Sequence, residues 1–275
     1  MSNKLNIDKQ RFEKDGYITI KNVFTLEEVR HIREEVYKQY EIDKQKKLDF
    51  QLPKLPTKAK YAKGDLLSKE LLHHVLLDDR ILEIARTLLD NDNLIYFGDS
   101  SYQIGTGLRG FHRDNIDRTN LDGPDWEGTY TLLRIGIYCQ DHKKYSGGLK
   151  VKRGSHKNVD GEPMFVDSEI GDVVIWNLKT IHSGNAVRLK FFPNFSINGS
   201  GRENLVPSFL KKDEEQERIS LFMTYALKSN HLDRYINEYT KKRLDTIEHA
   251  KASRRDAKTL ELAEQKGIEV IYPIN

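Results

Sequence analysis

The chain has 275 residues, 37% hydrophobic and 32% charged, so any core must sit inside a very polar shell. Its 45 basic residues are nearly balanced by 42 acidic ones, and a net charge of +3 is too small to mark a nucleic-acid-binding protein. The single cysteine, Cys139, excludes an intrachain disulfide and fits a reducing, cytoplasmic compartment. The N-terminus has no apolar signal core, and no run of about 18 apolar residues marks a membrane span. The sequons Asn194-Phe195-Ser196 and Asn198-Gly199-Ser200 read as chance occurrences in such a protein.

Residues 10–24 predict a short helix followed by the strand Tyr17–Phe24, with Gly16 at the join. Thr25-Leu26-Glu27-Glu28 is a capping box. Behind it Val29, Ile32, Val36 and Tyr40 recur at helical spacing and predict a helix over 26–42. Pro53 and Pro56 break helical continuation within 43–64. Lys54, Lys58, Lys60 and Lys63 make that segment basic, as a solvated loop or as a lid that brings a cation to a substrate. Residues 65–90 carry the apolar spacing of two packed helices. His73 and His74 are adjacent, face different sides of a helix and read as structural or surface histidines.

From residue 94 the period changes. Leu94–Phe97, Tyr102–Ile104, Tyr130–Gln140, Gly148–Lys152, Val173–Trp176, Ala186–Phe192 and Ile219–Tyr225 are short β-type runs separated by Gly, Asn, Asp and Ser. They predict a mainly β fold, a closed or sandwiched antiparallel barrel behind a helical preamble. After residue 229 helical spacing returns, with Leu232, Tyr235, Ile236 and Tyr239 as one stripe. Lys251–Arg255 has no aromatic residue and reads as a solvated helix face rather than a nucleic-acid site.

Chemistry concentrates around Phe111-His112-Arg113-Asp114-Asn115. On an extended strand, His112 and Asp114 at i and i+2 point to the same side and can reach one ion. His182 follows the apolar strand Val173–Trp176, which opens after Gly171-Asp172. An imidazole and a carboxylate two residues apart, with a distant second imidazole, form the ligand set of a 2-His-1-carboxylate facial triad. That set points to a mononuclear non-haem iron oxygenase. Gly147-Gly148 and Arg153-Gly154-Ser155 supply hairpin turns between the two halves. His142 and His156 are rival ligands, better explained by a polar turn and by loop hydrogen bonding.

Two other motifs overlap the site. Gly105-Thr106-Gly107-Leu108-Arg109-Gly110 matches GxGxxG, but no apolar helical stripe follows, as a dinucleotide fold requires. His112-Arg113-Asp114 matches part of a kinase catalytic loop, but position 119 is Thr where Asn is needed, and no Asp-Phe-Gly follows.

Taken together, Phe12-Glu13-Lys14-Asp15-Gly16-Tyr17, His112-x-Asp114, Gly147-Gly148-Leu149, Arg153-Gly154-Ser155-His156-Lys157, and Gly171-Asp172-Val173-Val174 running into His182-Ser183-Gly184-Asn185 resemble one family. It is the phytanoyl-CoA dioxygenase-like family of iron(II)/2-oxoglutarate-dependent oxygenases, and the likeness spans about 11–226. The resemblance implies a jelly-roll (double-stranded β-helix) core with flanking helices. It implies one oxygenase domain over 1–275: a helical part over about 1–93, the core over about 94–226 and C-terminal helices over about 229–265. It also implies iron(II) on His112, Asp114 and His182, 2-oxoglutarate as co-substrate, dioxygen, and release of succinate and CO2 as a small molecule is oxidised; the basic 43–64 loop and the polar composition lean toward hydroxylation of a polar or anionic one.

In the family an arginine about ten residues after the distal His clamps the far carboxylate of 2-oxoglutarate, a task suited to a bidentate guanidinium. Here that position, 193, is Pro. Arg218, at the start of Ile219–Tyr225, becomes the first candidate, with 189–217 as an insertion, and Arg188 is the alternative. Gln103 is a further candidate for the co-substrate, and Arg134, Trp126, Asp117 and Tyr102 for the substrate; each also reads as structural. Asp114 favours hydroxylation, because the halogenating relatives carry a small residue there. A catalytically silent jelly-roll binding protein and an iron dioxygenase independent of 2-oxoglutarate remain competing readings. Neither nucleic acid nor membrane is expected as a partner, and the sequence specifies no oligomeric state.

Overall fold

The computed structural model describes residues 5–50, 59–107, 110–157, 160–197 and 202–274. Among these, the first third of the chain is α1 (Lys9–Asp15), β1 (Tyr17–Ile20), α2 (Leu26–Gln45), β2 (Asp49–Phe50), β3 (Lys60–Ala62), α3 (His73–Leu76) and α4 (Asp79–Leu89). The middle holds β4 (Leu94–Tyr96), β5 (Ser100–Ile104), β6 (Leu132–Tyr138), β7 (Gly148–Lys152), β8 (Pro163–Phe165), β9 (Val173–Asn177) and β10 (His182–Ala186). Then come α5 (Arg202–Leu205), β11 (Ile219–Ala226), α6 (Asn230–Arg234), a π-helical turn at Tyr235–Thr240, α7 (Leu244–Ala252), α8 (Ala257–Gln265) and β12 (Ile268–Val270).

The helix at residue 26 starts for the expected reason. The Thr25 hydroxyl accepts from the Glu28 amide, and the Glu28 carboxylate accepts from the Thr25 amide. Glu28 also binds Arg80 on α4 at 2.8 Å. Arg80, with the capping hydrogen bonds, draws the Glu28 pKa from near 4.5 down to about 2. A depressed carboxyl contributes stability above the unfolded pKa and loses it as pH falls through the folded one. Glu28→Gln should therefore lower unfolding free energy by about 0.5–1 kcal/mol at pH 7, the range of an exposed pair. In urea titrations the gap between the two proteins should shrink between pH 4.5 and pH 2; a constant gap would contradict the assignment.

Alternation along the strands sorts residues between two layers. On β9, Val173 and Ile175 join the large core under the helices, whereas Val174 and Trp176 face the other way. On β11, Leu221, Met223 and Tyr225 point to the helices, and Phe222 points into the second layer. The large sheet runs in the order β1-β9-β6-β11-β5-β3-β2, with β4 and β12 attached beside β11. A three-stranded sheet, β10-β7-β8, closes over its other face. Leu149 and Val151 of that sheet meet Tyr138, Val174 and Trp176 of the large one. This is the jelly roll, and its interior lies between the sheets. Gly136 makes room there: a Cβ at this position would stand 2.9 Å from the Trp176 ring.

Several expectations change. The run at Ala186–Phe192 is not a strand. β10 ends at Ala186, Arg188 N turns to Ser146 Oγ, and Phe191 and Phe192 lie exposed. Asn185, at φ +55°, coincides with a register shift in the β10–β7 ladder. β12 was missed; it pairs parallel to β4, bringing the end of the chain back to the sheet. Lys251–Arg255 is not simply a solvated face, because the Arg255 side chain is buried in an ion pair with Asp65 and stacks on Tyr96 and Tyr272. Within the basic segment, Lys60 and Lys63 pair with Glu217 and Glu248. Residues 51–58, which carry Lys54 and Lys58, and the second sequon at 198–200 lie outside the described residues. No described helix is long and apolar enough to cross a membrane.

Candidate metal centre

His112 and His182 exchange both backbone hydrogen bonds, each 2.9 Å, in one antiparallel bridge. The expected strand at 111–115 is reduced to that bridge. The Asp114 and Asn115 amides both turn to the Leu178 carbonyl, at 2.9 and 3.2 Å, and this ends the ladder. The backbone is extended enough to keep His112 and Asp114 on one side. One ligand atom from each of His112, Asp114 and His182 lies within 4.8 Å of the other two.

Both imidazoles are pinned. His112 Nδ1 sits 2.8 Å from the Gly110 carbonyl, and His182 Nδ1 sits 3.0 Å from the Thr180 carbonyl. A carbonyl only accepts, so each Nδ1 carries a proton and each Nε2 is the nitrogen left to face a metal. Those Nε2 atoms stand 3.6 Å from Asp114 Oδ1 and 3.5 Å from Asp114 Oδ2, too far for good hydrogen bonds. Burial works against ionisation of Asp114, but Arg134, His182 and His112 outweigh it and hold the carboxyl well below the usual range. Burial pushes His182 down to about 4 against the pull of Asp114, so the ring is neutral near pH 7. A neutral His182 and an ionised Asp114 are the protonation states a divalent metal requires of such ligands. Asp114 Oδ2 is buried and makes no well-aligned hydrogen bond, although Arg134 Nη1 lies 3.0 Å away. The residues fit a metal ion.

Arg134, expected at the substrate, is instead committed to this carboxylate. Its Nη1 lies 3.0 Å from Asp114 Oδ2, its Nη2 2.6 Å from Asp99, and its Nε 3.1 Å from Thr224 Oγ1. Beyond the triad a wall of rings runs into the barrel. Trp176 lies 5.3 Å from the His182 ring, Phe222 6.0 Å from Trp176, and Tyr138 5.9 Å from Phe222. Arg218 closes this path, its guanidinium 5.4 Å from the Tyr138 ring. Arg218, Ser220 and Phe222 alternate onto the inner face, and Arg218 Nη1 donates to Ser220 Oγ at 2.9 Å. Arg218 is 2% exposed and no carboxylate is paired with it among the described residues. Gln103 stands opposite Ser220 in the β5–β11 register and donates to the Gly105 carbonyl. Arg188 is used elsewhere: Nε binds the His142 carbonyl, Nη1 the Pro193 carbonyl, and Nη2 pairs with Asp167.

Two substrate candidates move away. Tyr102 sits on the helix-facing side of β5, with its hydroxyl 2.6 Å from Asp43, because alternation sends position 102 outward and 103 inward. Asp117 binds Arg234 and the Asp125 amide, and so braces the loop. Trp126 donates to the Asp117 carbonyl, and its ring lies beside Arg113 and Lys179. The rival histidines are used in packing: His142 is buried against Tyr138 and Gln140, and His156 Nε2 lies 3.0 Å from the Glu13 carbonyl. His74 meets Glu35 at 2.8 Å. No helix follows Gly105–Gly110 in the described residues, of which Leu108 and Arg109 are not part. Sequence reasoning missed Asp99, Tyr235 and Tyr239. Tyr235 reaches Asp99 at 3.2 Å and stacks on Tyr239, both presented by the π-helical turn. The stripe Leu232, Tyr235, Ile236, Tyr239 was their only signal.

A family model described as phytanoyl-CoA dioxygenase matches residues 12–189. The chain belongs to the phytanoyl-CoA dioxygenase family. The match ends where the segment before Arg218 begins. An ectoine dioxygenase from Stutzerimonas stutzeri (strain A1501) is 26% identical to this family member over 152 residues, 54% of this chain and 49% of that protein. The chain thus matches about half the length of that relative. The non-heme alpha ketoglutarate dependent carbocyclase SnoK from nogalamycin biosynthesis superposes with a TM-score of 0.56 at 16% identity, covering 82% of this chain and 88% of SnoK. HygX from Streptomyces hygroscopicus, solved with nickel and 2-oxoglutarate bound, gives a TM-score of 0.54 at 17% identity, covering 81% and 88%. At these identities the likeness to the two structures is one of fold.

Proposed function

We propose that this phytanoyl-CoA dioxygenase family member is an iron(II)- and 2-oxoglutarate-dependent oxygenase that hydroxylates a small polar molecule. The observation that carries the reading is the convergence of two Nε2 lone pairs and one ionised carboxylate, with both Nδ1 atoms pinned by carbonyls. His112, Asp114 and His182 would hold the iron, one donor atom from each. Iron bound there supplies activation of dioxygen, coupled to conversion of 2-oxoglutarate to succinate and CO2.

The remaining residues bind, orient and exclude water. Arg218, Ser220 and the Tyr138 hydroxyl, which is buried without a partner, receive the far carboxylate of 2-oxoglutarate. Gln103 stands beside them. Trp176 and Phe222 keep the space between iron and Arg218 dry. Arg134 holds Asp114 in place. Asp99, Tyr235 and Tyr239 offer hydrogen-bonding groups on the side toward the C-terminal helices, in keeping with a polar substrate. HygX, which shares the fold, is known with 2-oxoglutarate bound, and this supports the choice of co-substrate.

The test is to load the protein with iron(II) anaerobically, then add 2-oxoglutarate, dioxygen and a panel of small polar compounds. Succinate should form in step with an oxygenated product for at least one compound. Iron-loaded protein that forms no succinate with any compound would sink the reading.

A further inference from the structure

The segment between Arg188 and Arg218 carries a surface that the chemistry above does not use. It is fastened to the outer face of the small sheet, away from the barrel interior. Leu149 and Val151 of β7 point inward, so Lys150 between them points out, where its Nζ holds the Glu203 carboxylate and the Ile197 carbonyl. The two ends of the segment pair as a short antiparallel ribbon. Leu189 faces Lys211, and the Lys190 amide donates to the Leu210 carbonyl at 2.9 Å. Continued by one residue, that register sets Phe191 beside Phe209. The Phe195 amide turns back to the Phe192 carbonyl.

Phe191, Phe192, Phe195, Leu205 and Phe209 are between 62% and 81% exposed. Among the described residues outside the segment, only Leu244 is a large hydrophobic side chain exposed to that degree. A cluster of exposed apolar side chains marks a surface that meets something other than water. The charge beside it has one sign. Lys190, Arg202, Lys211 and Lys212 are exposed or half-buried, and none pairs with a carboxylate among the described residues. Glu203 is the single acid between 189 and 212, and it is buried against Lys150. In the acidic run that follows, Glu214, Glu215 and Glu217 turn to Thr106, the Asp141 amide and the Tyr37 hydroxyl. Asp213 alone of them stays free beside the patch.

We propose that this face docks on an anionic lipid surface. The rings enter the boundary between headgroups and acyl chains, and the four cations meet the lipid phosphates. Charge decides between occupants. A second copy meeting this face head to head would set the same cations against one another. Rings that stand this far out need matching pockets on a protein partner, whereas acyl chains fit around any apolar shape. The expectation of no membrane partner rested on the lack of a span, and a face that lies on lipid needs none.

Flotation of the full-length protein with vesicles tests this without reference to turnover. The protein should float with phosphatidylcholine vesicles that carry an equal share of phosphatidylglycerol, stay behind with phosphatidylcholine alone, and leave the anionic vesicles as salt is raised. Replacing Lys190, Lys211 and Lys212 together by Gln should lower partitioning about 100-fold, at about fivefold for each lysine. Replacing Phe191, Phe192 and Phe209 together by Ser should lower it at least about tenfold. His112→Ala should float as the wild type does. Thermal melts establish that each variant is folded, and either triple variant decides alone if the other is not. Equal flotation with neutral vesicles, or flotation that a folded triple variant retains, would overturn the proposal. So would an oligomer that the phenylalanine variant breaks apart in sedimentation velocity, which would give the face to a second copy. No flotation and no oligomer would leave it to a protein partner and overturn the proposal as well.

Discussion

His182→Ala should lower iron(II) affinity by about 100-fold or more, beyond the 10–100-fold typical of losing a supporting contact, and should abolish succinate formation. His112→Ala should do the same. Each Nδ1 is fixed by a carbonyl, so each Nε2 is committed to the metal, and no described histidine stands ready to replace it. His142 and His156 are held by packing and by other partners. Asp114→Ala carries a second cost. It removes one of the two carboxylates that meet the Arg134 guanidinium and leaves that cation paired with Asp99 alone. The aspartate variant should therefore lose stability as well as metal, whereas the histidine variants lose mainly metal. Equilibrium dialysis with iron(II) or cobalt(II), beside a thermal melt for each variant, separates the two effects. Full metal stoichiometry in any of the three would contradict the ligand assignment.

Arg218→Ala should raise the half-saturating concentration of 2-oxoglutarate by about 30- to 1,000-fold, the equivalent of about 2–4 kcal/mol for removing one partner of a buried charge pair. Arg188→Ala should leave that concentration within about threefold and lower stability instead. The two arginines look alike in the sequence and differ in what they touch. Arg188 uses its donors on the His142 and Pro193 carbonyls and on Asp167. Arg218 is equally buried and spends Nε on the Gly147 carbonyl and Nη1 on Ser220 Oγ, but it pairs with no described carboxylate and lies beside Tyr138. Initial rates of succinate formation against 2-oxoglutarate concentration measure both variants. The reverse pattern would move the anchor to Arg188, no effect from either would place it on another residue, and product formed without any 2-oxoglutarate or succinate would favour an oxygenase that does not use 2-oxoglutarate.

The local rules were legible wherever one period controls the outcome. The capping box at Thr25–Glu28 starts its helix because both capping hydrogen bonds are made within four residues. The apolar runs at 132–138, 173–177 and 219–226 become core strands because period-two alternation needs only neighbours along the chain. Misreadings arose where proximity in sequence stood in for direction. Tyr102 and Gln103 are adjacent, yet one faces the helices and the other the barrel. Arg134 is near the metal strands, but its donors are taken by Asp114, Asp99 and Thr224. Arg255 belonged to a charged run and is buried, because Asp65 and Tyr96 come from the far end of the chain to meet it.

By itself the sequence determined the candidate donor set and the fold class. A His-x-Asp pair and a histidine after a Gly-Asp strand are local chemistry, and strand alternation is local geometry. Only the tertiary structure decided which nitrogen of each imidazole is available, since that depends on the Gly110 and Thr180 carbonyls folding back onto Nδ1. It alone showed that Arg188 is paired with a carboxylate, Asp167, and that Arg218 is not, because partnership is a property of packed neighbours.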